Sequence, residues 1–65
     1  MNISVIENKR KQKRITVTEL CKAAEIDRTT YYRLLKDPDS MKFSTWNKIV
    51  TYLGMTMLER KESLK

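Results

Sequence analysis

Three times in 65 residues a hydroxyl side chain is followed three positions later by glutamate: Ser4 and Glu7, Thr16 and Glu19, Thr56 and Glu59. Where such a pair opens a helix, the hydroxyl accepts a bond from a first-turn backbone N–H. The carboxylate reaches back to the N–H of the hydroxyl residue, so two donors that the helix cannot satisfy internally find partners. One glycine and one proline leave little material for loops or tight hairpins. Apolar residues recur at spacings of three and four rather than alternating. Together these features predict an all-α fold, a compact bundle of about five short helices forming a single domain over residues 1–65.

The boxes place helices at about residues 5 to 13, 17 to 24 and 57 to 63. Asp27 is the cap of a helix running to about Lys36, because Pro38 disfavours continued helix at Asp37. A further helix lies at about 44 to 53, ended by Gly54. The last residues, ESLK, are expected to fray. The inward faces are Leu20, Ala23 and Ala24 on the second helix and Tyr31, Leu34 and Leu35 on the third, with Ile26 in the turn between. Phe43, Trp46, Ile49, Val50 and Leu53 form the inner face of the fourth, and Met57 and Leu58 are expected to close the bottom of the core. The first helix offers Ile3, Val5 and Ile6, then packs through the alkyl stems of Arg10 and Lys13. Met55, Met57, Leu58 and Leu64 suit either a dimer seam or the inner core. A chain this small buries only about 60% of the surface its unfolded form exposes, which favours a homodimer.

Fourteen basic against eight acidic residues give a net charge of +6. Residues 1–36 hold 9 basic and 4 acidic, residues 37–65 hold 5 and 4, so one half carries the excess. Such a surplus attracts polyanions, either nucleic acid or an acidic membrane surface. No apolar run approaches the roughly 20 residues that span a bilayer, and the lone Cys21 allows no internal disulfide. The expected setting is the reducing cytoplasm, with Cys21 as a buried structural thiol. With no histidine, a single cysteine, and carboxylates better explained as caps, neither catalysis nor a metal site finds its residues. One glycine cannot build a phosphate loop. Neither enzyme activity, a cofactor nor a small-molecule substrate is expected.

The second and third helices, joined by the short turn EID, outline a helix-turn-helix, a motif whose second helix enters the DNA major groove. With Tyr31, Leu34 and Leu35 facing inward, the third helix must present Arg28, Thr29, Tyr32, Arg33 and Lys36 on its other side. Arginine can bond guanine O6 and N7 in parallel, and threonine offers a hydroxyl and a methyl. Arg28, Thr29 and Arg33 are therefore the expected base contacts, with Tyr32 reaching a base edge or the sugar-phosphate. Lys36, later on the helix, is expected on phosphate.

The stretches ITVTELCKAAEIDRTTYYRLLK and FSTWNKIVTYLGMTM resemble the helix-turn-helix domain of lambdoid phage Cro and CI repressors, over roughly residues 3 to 58. The resemblance implies a lambda-repressor-like DNA-binding domain. It also implies a homodimer on double-stranded DNA with a palindromic operator, hence a sequence-specific transcriptional regulator, a repressor of phage or mobile-element type. Carried over, the base-reading positions fall on Arg28, Thr29 and Arg33, and the backbone-contacting helix start on Thr16, Val17 and Thr18. This chain has Val17 where the family often has glutamine, Glu25 where it has glycine, and Leu35 where it has glutamate. Without that glutamate Arg10 is expected to be free for phosphate, and Lys42 joins it from the loop KDPDSMK. The competing expectations are a protein-interaction module, an inhibitor or antitoxin-like adaptor using Tyr31, Tyr32 and the arginines, and a non-specific architectural binder.

Overall fold

Two of the three hydroxyl–glutamate pairs cap helices. In the computed structural model, which describes all residues 1–65, five α-helices follow one another: α1 (Ile3–Gln12), α2 (Val17–Ala24), α3 (Arg28–Lys36), α4 (Phe43–Tyr52) and α5 (Met57–Leu64). A single 3-10 turn, Pro38–Ser40, lies between α3 and α4. Thr16 and Thr56 each accept from the glutamate N–H three residues on, at 3.1 Å, and receive the carboxylate on their own N–H. The Asp27 carboxylate accepts from Thr30 N–H at 2.7 Å. The third pair does not form: α1 begins at Ile3 behind Asn2, the Ser4 hydroxyl donates to the Asn2 side chain, and Glu7 turns inward.

Three helix ends share one backbone device. After α4, Gly54 takes φ +63°, its N–H bonds to Thr51 C=O and the Met55 N–H reaches back to Val50 C=O. This pair of bonds satisfies carbonyls that a helix end leaves open. A Cβ on Gly54 would also stand 3.0 Å from the Lys13 ammonium. After α1 and α2 the same left-handed position is held by Arg14 (φ 57°) and Glu25 (φ 59°), with equivalent bonds from Ile15 to Arg10 and from Ile26 to Cys21. L-residues carry a steric cost there that glycine avoids.

The core is Ile6, Leu20, Cys21, Ala24, Tyr31, Leu34, Met41, Trp46, Ile49, Val50, Leu53 and Met55. Helix α2 packs chiefly on α4 and on α3, and α1 on α5. Ala23 and Leu35 are only half-buried. Three expected core residues lie outside: Phe43 is 71% exposed, Met57 69% and Leu58 68%. The roll of α5 explains the last two. Its inward face carries Ser63, fully buried, whose hydroxyl accepts from the Trp46 indole N–H at 2.9 Å and donates to Arg60 C=O at 2.6 Å. At about 100° per residue, Met57 and Leu58 then point away from the bundle. Phe43 begins α4 and covers the Trp46 ring with one face, centroids 5.1 Å apart, leaving the other face to solvent. The expected fraying of ESLK is likewise corrected, since Ser63 pins the last turn of α5 against α4. No helix is long and apolar enough to cross a membrane.

Candidate nucleic-acid interface

Helix α3 is built to hold one side in and the other out. Tyr31 and Leu34 are buried, while Arg28, Thr29, Tyr32, Arg33 and Lys36 are all exposed. None of these five side chains has a hydrogen-bond or ion-pair partner within the chain. Several cations elsewhere are engaged: Lys9 with Glu59, Lys48 with Glu25, Lys65 with Glu62, and Arg60 with Met55 C=O. The polar groups of α3 are thus open to an outside ligand, and the exposed Lys42 lies near them.

Two anchors hold this face. At the start of α3, hydrogen bonding from Thr30 holds the Asp27 carboxyl below its usual range, and its N–H bond to that carboxylate fixes the first turn. In the middle, the Tyr31 hydroxyl donates to Glu7 on α1. Glu7 also accepts two bonds from Arg10, Nε to Oε1 at 2.8 Å and Nη2 to Oε2 at 2.9 Å, and Arg10 Nη1 donates to Ile15 C=O at 2.8 Å. The bonds from Arg10 draw the Glu7 carboxyl down, and burial pushes the Tyr31 phenol well above its ordinary value.

This network corrects the expectation for Arg10. With leucine rather than an acid at position 35, the guanidinium turns to the carboxylate one helical turn back, and its side chain is only 13% exposed. It is not free for phosphate. The burial of Tyr31 also removes half of the Tyr31–Tyr32 pair from any protein-docking surface.

At the start of α2 the structure divides the three expected phosphate contacts. Thr16 uses its hydroxyl in the cap with Glu19, and Val17 packs its side chain against the core. Thr18 is exposed, and the first N–H groups of the helix point out beside it. Lys42 is exposed immediately before α4. It and Arg33 meet on the rim of a hollow of about 380 Å³ between α3 and α4, with Thr30, Asp37, Ser40 and Thr45 also lining it. Thr45, three residues beyond Lys42, was not legible as a site residue; its only sequence signal is that spacing.

The Cys21 thiol lies 4% exposed, donates to Asp27 C=O at 3.7 Å, and is pushed up by burial. It is a buried structural thiol. No group of three or more His, Cys, Asp or Glu stands together to hold a metal ion.

A two-helix unit with a buried inner face, an outer face of unpaired cations and hydroxyls, and a supporting α4 is the architecture of a DNA reader. A family model described as the Cro/C1-type HTH DNA-binding domain matches residues 5–59. The chain belongs to that family. No individual curated protein and no solved structure matches it. The matched range opens within α1 and closes in the first turn of α5, so the whole helix-turn-helix and its supporting helices belong to the Cro/C1-type domain, and the protein is a DNA-binding regulator.

Proposed function

We propose that this Cro/C1-type domain is a sequence-specific repressor of phage or mobile-element type, acting in the cytoplasm as a homodimer on a palindromic operator. The observation that carries the reading is the α3 face, where five exposed side chains have no partner in the chain while the opposite side is locked into the core. Arg28, Thr29, Tyr32 and Arg33 take base edges, and Lys36, Lys42, Thr18 and the N–H groups of Val17 and Thr18 take phosphates. Support for the homodimer comes from α5, whose outward stripe of Met57, Leu58, Lys61 and Leu64 leaves apolar surface open next to a charged centre. Two copies joined there would present their α3 helices to successive major grooves about 34 Å apart.

Selection of bound duplexes from a random-sequence pool tests the reading. A two-fold symmetric consensus is the expected result, and enrichment of no sequence would overturn it.

A further inference from the structure

The middle of the outward α3 face is a shallow depression of about 380 Å³ lined by Thr29, Tyr32, Arg33 and Lys36. At about 100° per residue, Thr29 and Lys36 fall nearly in line along the helix, with Tyr32 on one flank and Arg33 on the other. The seat is chemically divided. The Thr29 methyl, the Tyr32 ring and the Lys36 stem give it an apolar lining, and the Arg33 guanidinium brings donors and no acceptor. The Tyr32 ring is 51% exposed and stands edge-on to the buried Tyr31 ring, centroids 6.4 Å apart and planes at 65°. Tyr31 is itself fixed by Glu7, so the wall of the seat rests on the core.

On the base edges of the major groove the one apolar group is the C5-methyl of thymine, which 5-methylcytosine shares. Neighbouring base pairs lie about 3.4 Å apart, so a guanidinium bonded to guanine O6 and N7 runs close to the C5 position of the adjacent pyrimidine. We infer that the depression seats the C5-methyl group of a pyrimidine stacked beside a guanine that Arg33 reads. Thr29 and Tyr32 are then specificity-determining residues that recognise a methyl group rather than a hydrogen-bonding pattern. The inference rests on the DNA-reading function proposed above.

The test uses the full chain and a duplex recovered by the selection. Each thymine in turn is replaced by uracil, which removes only the methyl, and each cytosine by 5-methylcytosine, which adds it. At one position per half-site, uracil weakens binding, or 5-methylcytosine strengthens it, by about four-fold, the worth of one buried methyl. Thr29→Ser, which keeps the hydroxyl, and Tyr32→Ala each bring that ratio towards one while the duplex is still preferred over random DNA. Equal binding at every position by the unaltered chain overturns the seat and leaves DNA reading standing. A ratio that neither substitution moves also overturns it. A selection that enriches nothing overturns both.

Discussion

The Tyr31 hydroxyl donates to the Glu7 carboxylate, joining the buried side of α3 to α1 across 24 positions of the chain. The groove-facing helix is therefore set by a polar contact as well as by apolar packing. Glu7 is in turn held by the Arg10 fork, so the bond has a fixed acceptor.

Tyr31→Phe removes the donor and leaves the rest of the ring in place. We expect a loss of about 1–3 kcal/mol in urea unfolding, the usual cost of leaving a charged, part-buried acceptor one partner short. Unchanged stability would show that water replaces the phenol without cost.

Acid should weaken the fold through the same carboxylate. Hydrogen bonds from Arg10 hold the folded Glu7 below its ordinary value of 4.5. A depressed acid contributes stability that is complete above the unfolded value and disappears as pH falls through the folded one. Thermal midpoints between pH 7 and 2.5 should fall below about pH 4.5, and Glu7→Gln should be less stable at neutral pH and shallower in its acid dependence.

Glu25 sits in the left-handed region after α2, where a Cβ is a steric burden. Glu25→Gly should raise the thermal midpoint by a few degrees despite losing the exposed contact with Lys48. A lower midpoint would mean that the added freedom of the unfolded chain outweighs the relief.

Arg28→Ala and Arg33→Ala should each cost about 1–3 kcal/mol on the preferred duplex and much less on random DNA, whereas Lys36→Ala should weaken both alike and flatten the salt dependence. Titrations on the two kinds of DNA at several salt concentrations decide this. Equal losses for the arginine variants on both would remove base reading.

Charge placed in the α5 stripe tests the homodimer. Met57→Glu with Leu58→Glu alters exposed positions only, so helicity should be retained while a concentration-dependent dimer disappears in sedimentation. A dimer that persists would put the interface elsewhere.

What the sequence discloses follows from the range of the interactions. The caps at Thr16, Asp27 and Thr56 are legible because their partners lie three residues away. The outer face of α3 is legible because Tyr31 and Leu34 fix its opposite. Glu7 misleads because its hydroxyl neighbour at Ser4 reads as a cap, whereas its partners are Tyr31, far along the chain, and Arg10, a local pair that the cap reading hides. The exposure of Met57 and Leu58 depends on how α5 rolls, which a serine settles by meeting an indole from another helix. Arg14 and Glu25 give no warning of their left-handed backbone, because glycine is the usual signal for it.

The indole of Trp46, the chain's one tryptophan, ends on the last turn of α5 through Ser63. Its emission is accordingly a built-in gauge of whether that terminal helix is docked. A fluorescence change that precedes the loss of far-ultraviolet ellipticity on heating would reveal the bundle opening like a hinge from its C-terminal side, with the groove-facing helix still in place.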